Sequence, residues 1–188
     1  MHTFTKMTEE KALTEEIEVI EGANASLNGT SLTVSGPKGN VVREFNSPKA
    51  RIKLEGRQIT LSASGNTRKD KTVLKTYKAH IRNAMKGVTE GYVYKLKVCS
   101  GHFPITVSVS GNRLEIKNFL GEKIPRKVNL MPGAAVKVDG STITVESPDI
   151  EKAGQVAADI EQATRRPGFD RRIFQDGIYI IEKEGEQI

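Results

Sequence analysis

An internal repeat is the sequence feature that most limits the fold of this chain. Residues 113–122 align with residues 31–40, and residues 135–146 align with residues 51–62. All four segments are short runs rich in β-forming residues, and they are separated by Gly, Pro, Asn and Ser. Self-similarity of this kind indicates two copies of one structural unit.

The turn residues inside each copy predict antiparallel sheets. Residues 36–39 and Gly56 separate runs of alternating apolar residues, as β-hairpins require. We therefore predict an α+β fold of two tandem similar domains, each an antiparallel β-sheet packed with one main α-helix. The predicted boundaries are a flexible N-terminal end at 1–16, a first repeat at 17–98 and a second repeat at 99–188.

Each repeat is predicted to finish with a helix, a loop and a strand. Apolar residues recur at helical spacing over 68–86, with Gly87 ending that helix, and the second helix is predicted to begin at Ser147. Strand 177–183 is predicted to correspond to strand 92–98. In this alignment the loops between helix and last strand differ most, and loops are where binding residues concentrate.

The loop of the second repeat holds the densest arginine cluster of the sequence. Within eight residues it contains Arg165, Arg166, Arg171 and Arg172. Pro167, Gly168 and Phe169 are predicted to turn the chain between the two pairs. Guanidinium groups pair bidentately with phosphate and stack on bases, so the loop is predicted to bind a polyanion.

Arginines at the end of a helix have a second explanation. Arg165 and Arg166 could cap the last carbonyl groups of the preceding helix and complement its dipole. Arg171 and Arg172 lie beyond the turn, where the dipole effect has faded, so they favour a ligand. Phe169 could either stack on a base or pack beneath the loop, and the sequence leaves both possibilities open.

The distribution of charge supplies a second candidate surface. The chain has a formal net charge of +6, and residues 1–98 carry 17 basic against 10 acidic residues, whereas residues 99–188 carry 12 against 13. The first helix has a basic stripe opposite its apolar face, and a solvated helix face is the alternative explanation for it. As secondary RNA-binding candidates we predict Lys71, Lys75, Lys78 and Arg82.

The sequence lacks the motifs of an enzyme, a metal site or a membrane protein. It has one Cys and three His residues, too few for a zinc site of recognised spacing. Cys99 and His102 lack a third group that would orient a catalytic base. No apolar run approaches the roughly 20 residues that cross a bilayer, and the N-terminus has no secretion signal. We predict no enzymatic activity, cofactor, metal, small-molecule substrate or membrane association, and a cytoplasmic location.

Five segments give the sequence a family resemblance. In order they are GPKG (36–39), GVTEGYVYKLKV (87–98), HFPI (102–105), VKVDGSTITVES (136–147) and ATRRPGFDRRIFQDGIY (163–179). Together they resemble the archaeal and eukaryotic branch of the large-ribosomal-subunit protein six family, whose eukaryotic counterpart is called large-subunit protein nine. The resemblance covers nearly the whole chain, and the arginine loop is its most specific part.

This resemblance implies two similar α+β domains and a structural role in the large ribosomal subunit. It further implies binding of large-subunit rRNA through the C-terminal domain, near the stalk base and the sarcin-ricin region, with ribosomal proteins as neighbours and translation factors nearby. The RNA-binding residues expected from it are Arg165, Arg166, Gly168, Phe169, Arg171 and Arg172.

Two other functions remain open at this point. A free duplicated RNA-binding module would need aromatic platforms for single-stranded bases, and aromatic residues are scarce here, with no Trp. A protein-interaction scaffold that recruits partners at its sheet edges would not need the arginine cluster. Salt-sensitive RNA binding would distinguish the RNA-binding functions from the scaffold.

Overall fold

The computed structural model of the protein describes residues 13–170 and 172–188. The chain forms two compact units, the first ending at Thr89 and the second beginning at Glu90. Each unit contains antiparallel strands and one main helix, which confirms the predicted α+β class and the two similar domains. No helix in the described part of the chain combines the length and apolar character needed to cross a membrane.

The first unit has two small sheets and a long helix. Its elements are β1 (Thr14–Glu18), β2 (Asn24–Asn28), β3 (Ser31–Gly36), β4 (Gly39–Glu44), β5 (Ala50–Glu55), β6 (Gln58–Ala63) and α1 (Arg68–Thr89). The sheet orders are β1-β6-β5 and β2-β3-β4, with all pairings antiparallel. Alternate residues of β3 and β6 are buried with the apolar face of α1, so the helix closes the core of this unit.

Helix α1 is longer than the sequence predicts. Its first turn is held by a capping box, in which the Thr67 amide donates to the Asp70 carboxylate at 3.1 Å and the Asp70 amide donates to Thr67 Oγ1 at 3.3 Å. Gly87, which was predicted to end the helix, lies within it and is buried in its last turn. Gly91, with a φ of +83°, takes the left-handed conformation after the helix instead.

The second unit has a five-stranded sheet and a three-stranded sheet. Its elements are β7 (Tyr92–Cys99), β8 (Thr106–Ser110), β9 (Arg113–Lys117), a 3₁₀ turn (Phe119–Gly121), β10 (Arg126–Asn129), β11 (Ala135–Asp139), β12 (Thr142–Ser147), α2 (Ile150–Ala163), β13 (Gly177–Lys183) and β14 (Glu186–Gln187). The sheet orders are β11-β12-β7-β13-β14 and β10-β9-β8. Val156, Ala157 and Ile160 bury one face of α2 in the core of this unit.

The structure corrects the predicted boundary between the repeats. Strand β7 was expected to close the first repeat, but it pairs with β12 and β13 of the second unit, and Tyr92, Tyr94 and Leu96 are buried there. Its pairing with β12 matches the pairing of β1 with β6. Strand β7 is therefore the first strand of the second unit, and β13 has no counterpart among the described strands of the first unit.

Two further expectations change with this boundary. Residues 87–89, expected to lie beyond the end of the first helix, form the last turn of α1, so the connection from α1 to β7 is much shorter than the arginine loop. Of the predicted flexible end, residues 1–12 lie outside the described residues, whereas β1 pairs with β6 from Thr14 onward.

The start of α2 also differs from the prediction. Asp149 caps the helix, since its carboxylate accepts from the Glu151 amide at 3.0 Å. Ser147 ends β12, and its hydroxyl accepts from the Asp149 amide and donates to the Gly133 carbonyl at 2.8 Å. Asp at this position also places a negative charge at the positive end of the helix dipole.

Candidate nucleic-acid interface

The arginine loop, defined here as residues 164–176, joins α2 to β13 and is tied together at its two ends. The hydroxyl of Thr164 donates to the Glu161 carbonyl at 3.0 Å and accepts from the Ile178 amide at 3.0 Å. Thr164 and Ile178 are both buried. One side chain therefore joins the end of the helix to the start of the strand and fixes the two ends of the loop.

The guanidinium that caps α2 belongs to Arg126 on β10. Its Nη1 donates to the carbonyl of Ala163 at 2.7 Å, and its Nε and Nη2 form a fork onto the Glu122 carboxylate at 2.8 and 2.6 Å. The same group lies 4.4 Å from the centre of the Phe119 ring. The hydrogen bonds from Arg126 lower the pKa of the Glu122 carboxyl. Arg126 therefore caps the end of α2, the role that the sequence had suggested for Arg165 and Arg166.

Arg165 and Arg166 are both exposed next to this cap. Arg166 Nη1 lies 3.4 Å from Glu122 Oε1, and its guanidinium lies 4.4 Å from the centre of the Phe169 ring. Among the described residues, Arg165 has no carboxylate partner for its side chain. Two surface contacts thus favour one position of the Arg166 side chain, while Arg165 keeps its charge available at the surface.

Phe169 packs within the loop as well as reaching the surface. Its ring meets the ring of Phe174 edge to face, with centres 4.9 Å apart, and the residue remains 39 % exposed. Gly168 has a φ of +87°, a left-handed conformation that favours glycine and turns the chain just before the ring. The sequence left open whether Phe169 stacks on a base or packs beneath the loop, and in the structure its ring packs within the loop. The same ring lies next to the guanidinium of Arg166 and helps to orient it.

The second arginine pair is only partly described, because Arg171 lies outside the described residues. The side chain of Arg172 is 90 % exposed and bonds to the Asp170 carboxylate, with Nη2 at 2.9 Å from Oδ2. This bond lowers the pKa of the Asp170 carboxyl and raises that of the Arg172 guanidinium. An exposed pair of this kind is weak, so a phosphate can compete for Arg172.

Asp176, a buried carboxylate at the C-terminal end of the arginine loop, was not predicted as a site residue from the sequence. Asp176 Oδ1 accepts from the amides of Gly101 and His102 at 2.6 and 3.0 Å, and Oδ2 lies 2.6 Å from His102 Nδ1. The His102 ring in turn stacks on Phe174, with centres 5.2 Å apart. Arg166, Phe169, Phe174, His102 and Asp176 thus form one continuous series of contacts, which we call the loop clamp.

A groove of about 340 Å³ lies between the end of α2, the arginine loop and the start of β13. Its lining combines guanidinium groups, carboxylates and aromatic rings: Phe119, Leu120, Glu161, Gln162, Thr164, Arg165, Arg166, Phe169, Phe174, Asp176 and Tyr179. Three of the predicted site residues line the groove, namely Arg165, Arg166 and Phe169. A fourth, Gly168, forms the turn next to them. Tyr179 is a member that the sequence reading did not select.

The secondary candidates lie on α1 in the first unit. Lys71, Lys75 and Arg82 are exposed, whereas Lys78 is half-buried and forms an ion pair with Glu15 of β1. The hydrogen bond from Lys78 lowers the pKa of the Glu15 carboxyl. Three of the four cations therefore remain at the surface, and the fourth joins the helix to the neighbouring sheet.

Metal ligands do not gather anywhere in the described residues. No group of three or more His, Cys, Asp or Glu side chains there could hold a metal ion. Cys99, a free thiol, lies at the end of β7 opposite Gly177 of β13. His102 is engaged by Asp176, so the described geometry is that of a structural contact.

Comparisons with known proteins identify the family. The family model described as "Ribosomal protein L6" matches residues 20–91 and 103–177. Curated relatives called "Large ribosomal subunit protein uL6" include that of Ignicoccus hospitalis, 46 % identical over 173 residues, covering 89 % of this chain and 93 % of the relative. Those of Sulfurisphaera tokodaii and Saccharolobus solfataricus are 44 % and 43 % identical, each covering 92 % of this chain and 93 % and 96 % of the relative. The chain therefore belongs to the ribosomal protein L6 family, in its archaeal branch.

Proposed function

We propose that the protein is a structural, non-enzymatic component of the large ribosomal subunit in the cytoplasm. Membership of the L6 family supports this role, as do the archaeal relatives, whose names place them in the large subunit. The high coverage of both chains supports carrying the role over to the whole protein. The net charge of +6 suits a polyanionic partner.

The arginine loop is the proposed contact with large-subunit rRNA. The observation that carries this proposal is that the arginine that caps α2 is Arg126, which lies outside the loop. The loop arginines are therefore not needed for the cap, and three of them are exposed on a loop that is anchored at both ends: Arg165, Arg166 and Arg172. Arg171 is included for its position in the same cluster. Pre-organised guanidinium groups lose less side-chain freedom on binding, which favours affinity for phosphate.

The proposed mode of recognition is by shape and backbone. Folded rRNA presents phosphates and ribose hydroxyls at junctions, and a compact cationic loop can enter between strands without reading base pairs. Following the family resemblance, we place the contact near the stalk base and the sarcin-ricin region, beside neighbouring ribosomal proteins and the translation-factor site. The exposed Lys71, Lys75 and Arg82 of α1 are proposed as a second, weaker contact.

A comparison of two RNAs tests this function. The full chain is titrated with a large-subunit rRNA fragment spanning the sarcin-ricin region, and with a small-subunit rRNA fragment of equal length at the same salt concentration. We expect clearly tighter binding to the large-subunit fragment. Equal affinities would indicate unspecific polyanion binding, and absence of binding to both would favour the protein-interaction scaffold; either result contradicts the proposal.

A further inference from the structure

The groove beside the arginine loop has dimensions that suit a single small ligand. Its volume of about 340 Å³ lies at the lower end of the range for small-molecule sites, which begins near 300 Å³. Its lining combines aromatic rings with charged and amide groups, and in small-molecule sites it is such polar groups that fix the orientation of the ligand. A purely apolar occupant would leave these polar groups without partners.

Tyr179 supplies an aromatic wall of the groove. A Cβ added at Gly177 would lie 3.1 to 3.2 Å from Cζ, Oη and Cε2 of the Tyr179 ring, so the ring packs closely on the backbone of Gly177 and a side chain there would push it away by a few tenths of an ångström. Tyr179 is still 40 % exposed and lines the groove. Phe169 already contacts Arg166 and Phe174, which leaves Tyr179 as the ring best placed for a new stacking partner.

The charged groups around the ring fit a nucleotide rather than an isolated ring. Arg165 and Arg166 line the same groove, and Arg165 has no carboxylate partner among the described residues, so a phosphate can bind at that wall. Gln162 lines the groove near the end of α2 and offers both a donor and an acceptor to a base edge, whereas Oε1 of the neighbouring Glu161 already accepts from the Ile180 amide at 3.5 Å. Stacking surface, phosphate ligands and base-edge partners thus occur within one groove.

We propose that this groove binds one unpaired RNA nucleobase, stacked on Tyr179, with its phosphate at Arg165. The inference rests on the proposed rRNA binding and names the ligand of the same surface. Sequence-tolerant stacking of an unstacked base on an aromatic side chain is a general mode of RNA recognition. It adds a base contact to a loop that otherwise acts on the backbone.

The first test compares substitutions on β13 in binding to the large-subunit rRNA fragment. Tyr179→Phe keeps the ring, Tyr179→Leu keeps apolar bulk without a π face, and Ile181→Ala is the control, since Ile181 is 37 % exposed on the same strand and does not line the groove. We expect roughly tenfold weaker binding for Tyr179→Leu and little change for the other two. Thermal unfolding of each variant establishes that all three are folded.

The second test uses small probes and does not depend on rRNA binding. Adenosine 5′-monophosphate and ribose 5-phosphate are titrated into the ¹⁵N-labelled full chain, and the amide resonances of Gly177, Ile178 and Tyr179 are followed. We expect the nucleotide to shift these resonances in the wild type and in Tyr179→Phe, and ribose 5-phosphate to leave them nearly unchanged. Equal responses to the two probes, or none, would overturn the inference by showing phosphate binding alone or no site.

The two tests separate this inference from the proposed function. If the wild type binds the rRNA fragment and Tyr179→Leu binds it equally well, the inference is overturned while the proposed function stands. If the wild type does not bind the rRNA fragment but the nucleotide shifts the Tyr179 region, the groove is a nucleotide site and the proposed function is wrong.

Discussion

His102 and Asp176 are 74 positions apart in the sequence, yet Nδ1 of the first lies 2.6 Å from Oδ2 of the second. The carboxylate is nearly inaccessible, with a side-chain exposure of 1 %, and its other oxygen accepts two backbone amides from residues 101 and 102. This contact joins the connection after β7 to the end of the arginine loop. Because Phe174 stacks on His102 and Phe169 meets Phe174 edge to face, the contact also supports the position of Arg166.

Replacing Asp176 by Asn is expected to loosen the loop clamp. The substitution preserves the shape of the side chain but removes the charge that three donors share, and the loss of a buried charge-assisted hydrogen bond costs about 1–3 kcal/mol. We expect a lower unfolding temperature and faster hydrogen exchange at the amides of Gly101 and His102. Asp159→Asn is the matched control, since within the described part of the chain Asp159 accepts a single exposed bond, from Gln155. Unchanged exchange at these amides would contradict the clamp.

The same carboxyl predicts a specific sensitivity to acid. Burial raises the pKa of Asp176, but the hydrogen bonds from the His102 backbone and ring and from the Gly101 amide outweigh it, so the pKa lies below its ordinary value. A lowered pKa in the folded state means that the carboxylate contributes stability fully above the unfolded value of about 3.9, and that this contribution is lost as pH falls through the folded value.

The measurement is the stability of wild type and Asp176→Asn across pH 2 to about 7. Other carboxylates with lowered pKa values remain in both proteins, so both lose stability in acid. The difference between the two is expected to be constant near neutral pH and to shrink below about pH 4. A difference that stays constant over the whole range would exclude Asp176 as its source.

Arg126 is predicted to stabilise the protein without binding RNA. Lysine at this position cannot form the fork onto Glu122 while also donating to the Ala163 carbonyl, so Arg126→Lys is expected to destabilise by about 1–3 kcal/mol. Urea unfolding measures this loss, and Lys127→Ala on the exposed side of the same strand is its control. The salt dependence of rRNA binding should stay as in the wild type. A flatter salt dependence for Arg126→Lys would show that Arg126 itself contacts phosphate.

Phe169 is predicted to act by orienting Arg166. An exposed cation–aromatic contact contributes about 0.5–1 kcal/mol, so Phe169→Ala is expected to weaken rRNA binding by about two- to fivefold. Because no charge is removed, the slope of affinity against salt should not change. Ile173→Ala, in the same loop and 64 % exposed, is the control and should bind like the wild type. Equal affinities for the two variants would contradict the orienting role.

Local sequence patterns predicted the elements better than their partners. The repeat, the hairpins and the buried face of α2 follow from turn residues and apolar periodicity, and the structure has them. Strand β7 was assigned to the wrong unit, because alternation along a strand shows which residues are buried and not which sheet buries them. The same limit applies to β13, whose resemblance to β7 reflects a shared strand pattern and not a shared place in the repeat.

Contacts between distant residues account for what the sequence reading missed at the site. The arginine cluster was visible from its density alone. The roles of Arg126 and Asp176 were not, because their partners are 37 and 74 residues away and depend on how the loop returns to the sheet. Gly177 and Tyr179 are separated by a single residue, but their close packing depends on the ring position, which no spacing rule predicts.

The most direct test of the account measures rRNA affinity over a series of salt concentrations for three proteins. They are the wild type, a variant with Arg165, Arg166, Arg171 and Arg172 changed to Ala, and a control of equal net charge with the α1 residues Lys69, Lys71, Lys75 and Arg82 changed to Ala. Each phosphate contact contributes about 0.7–0.9 to the slope of log affinity against log salt, so the loop variant, which lacks four arginines, should bind more weakly with a slope less steep by about 3 to 4. The control is predicted to change less. An unchanged curve for the loop variant, with a flattened one for the control, would move the RNA-binding surface to α1 and contradict the central claim.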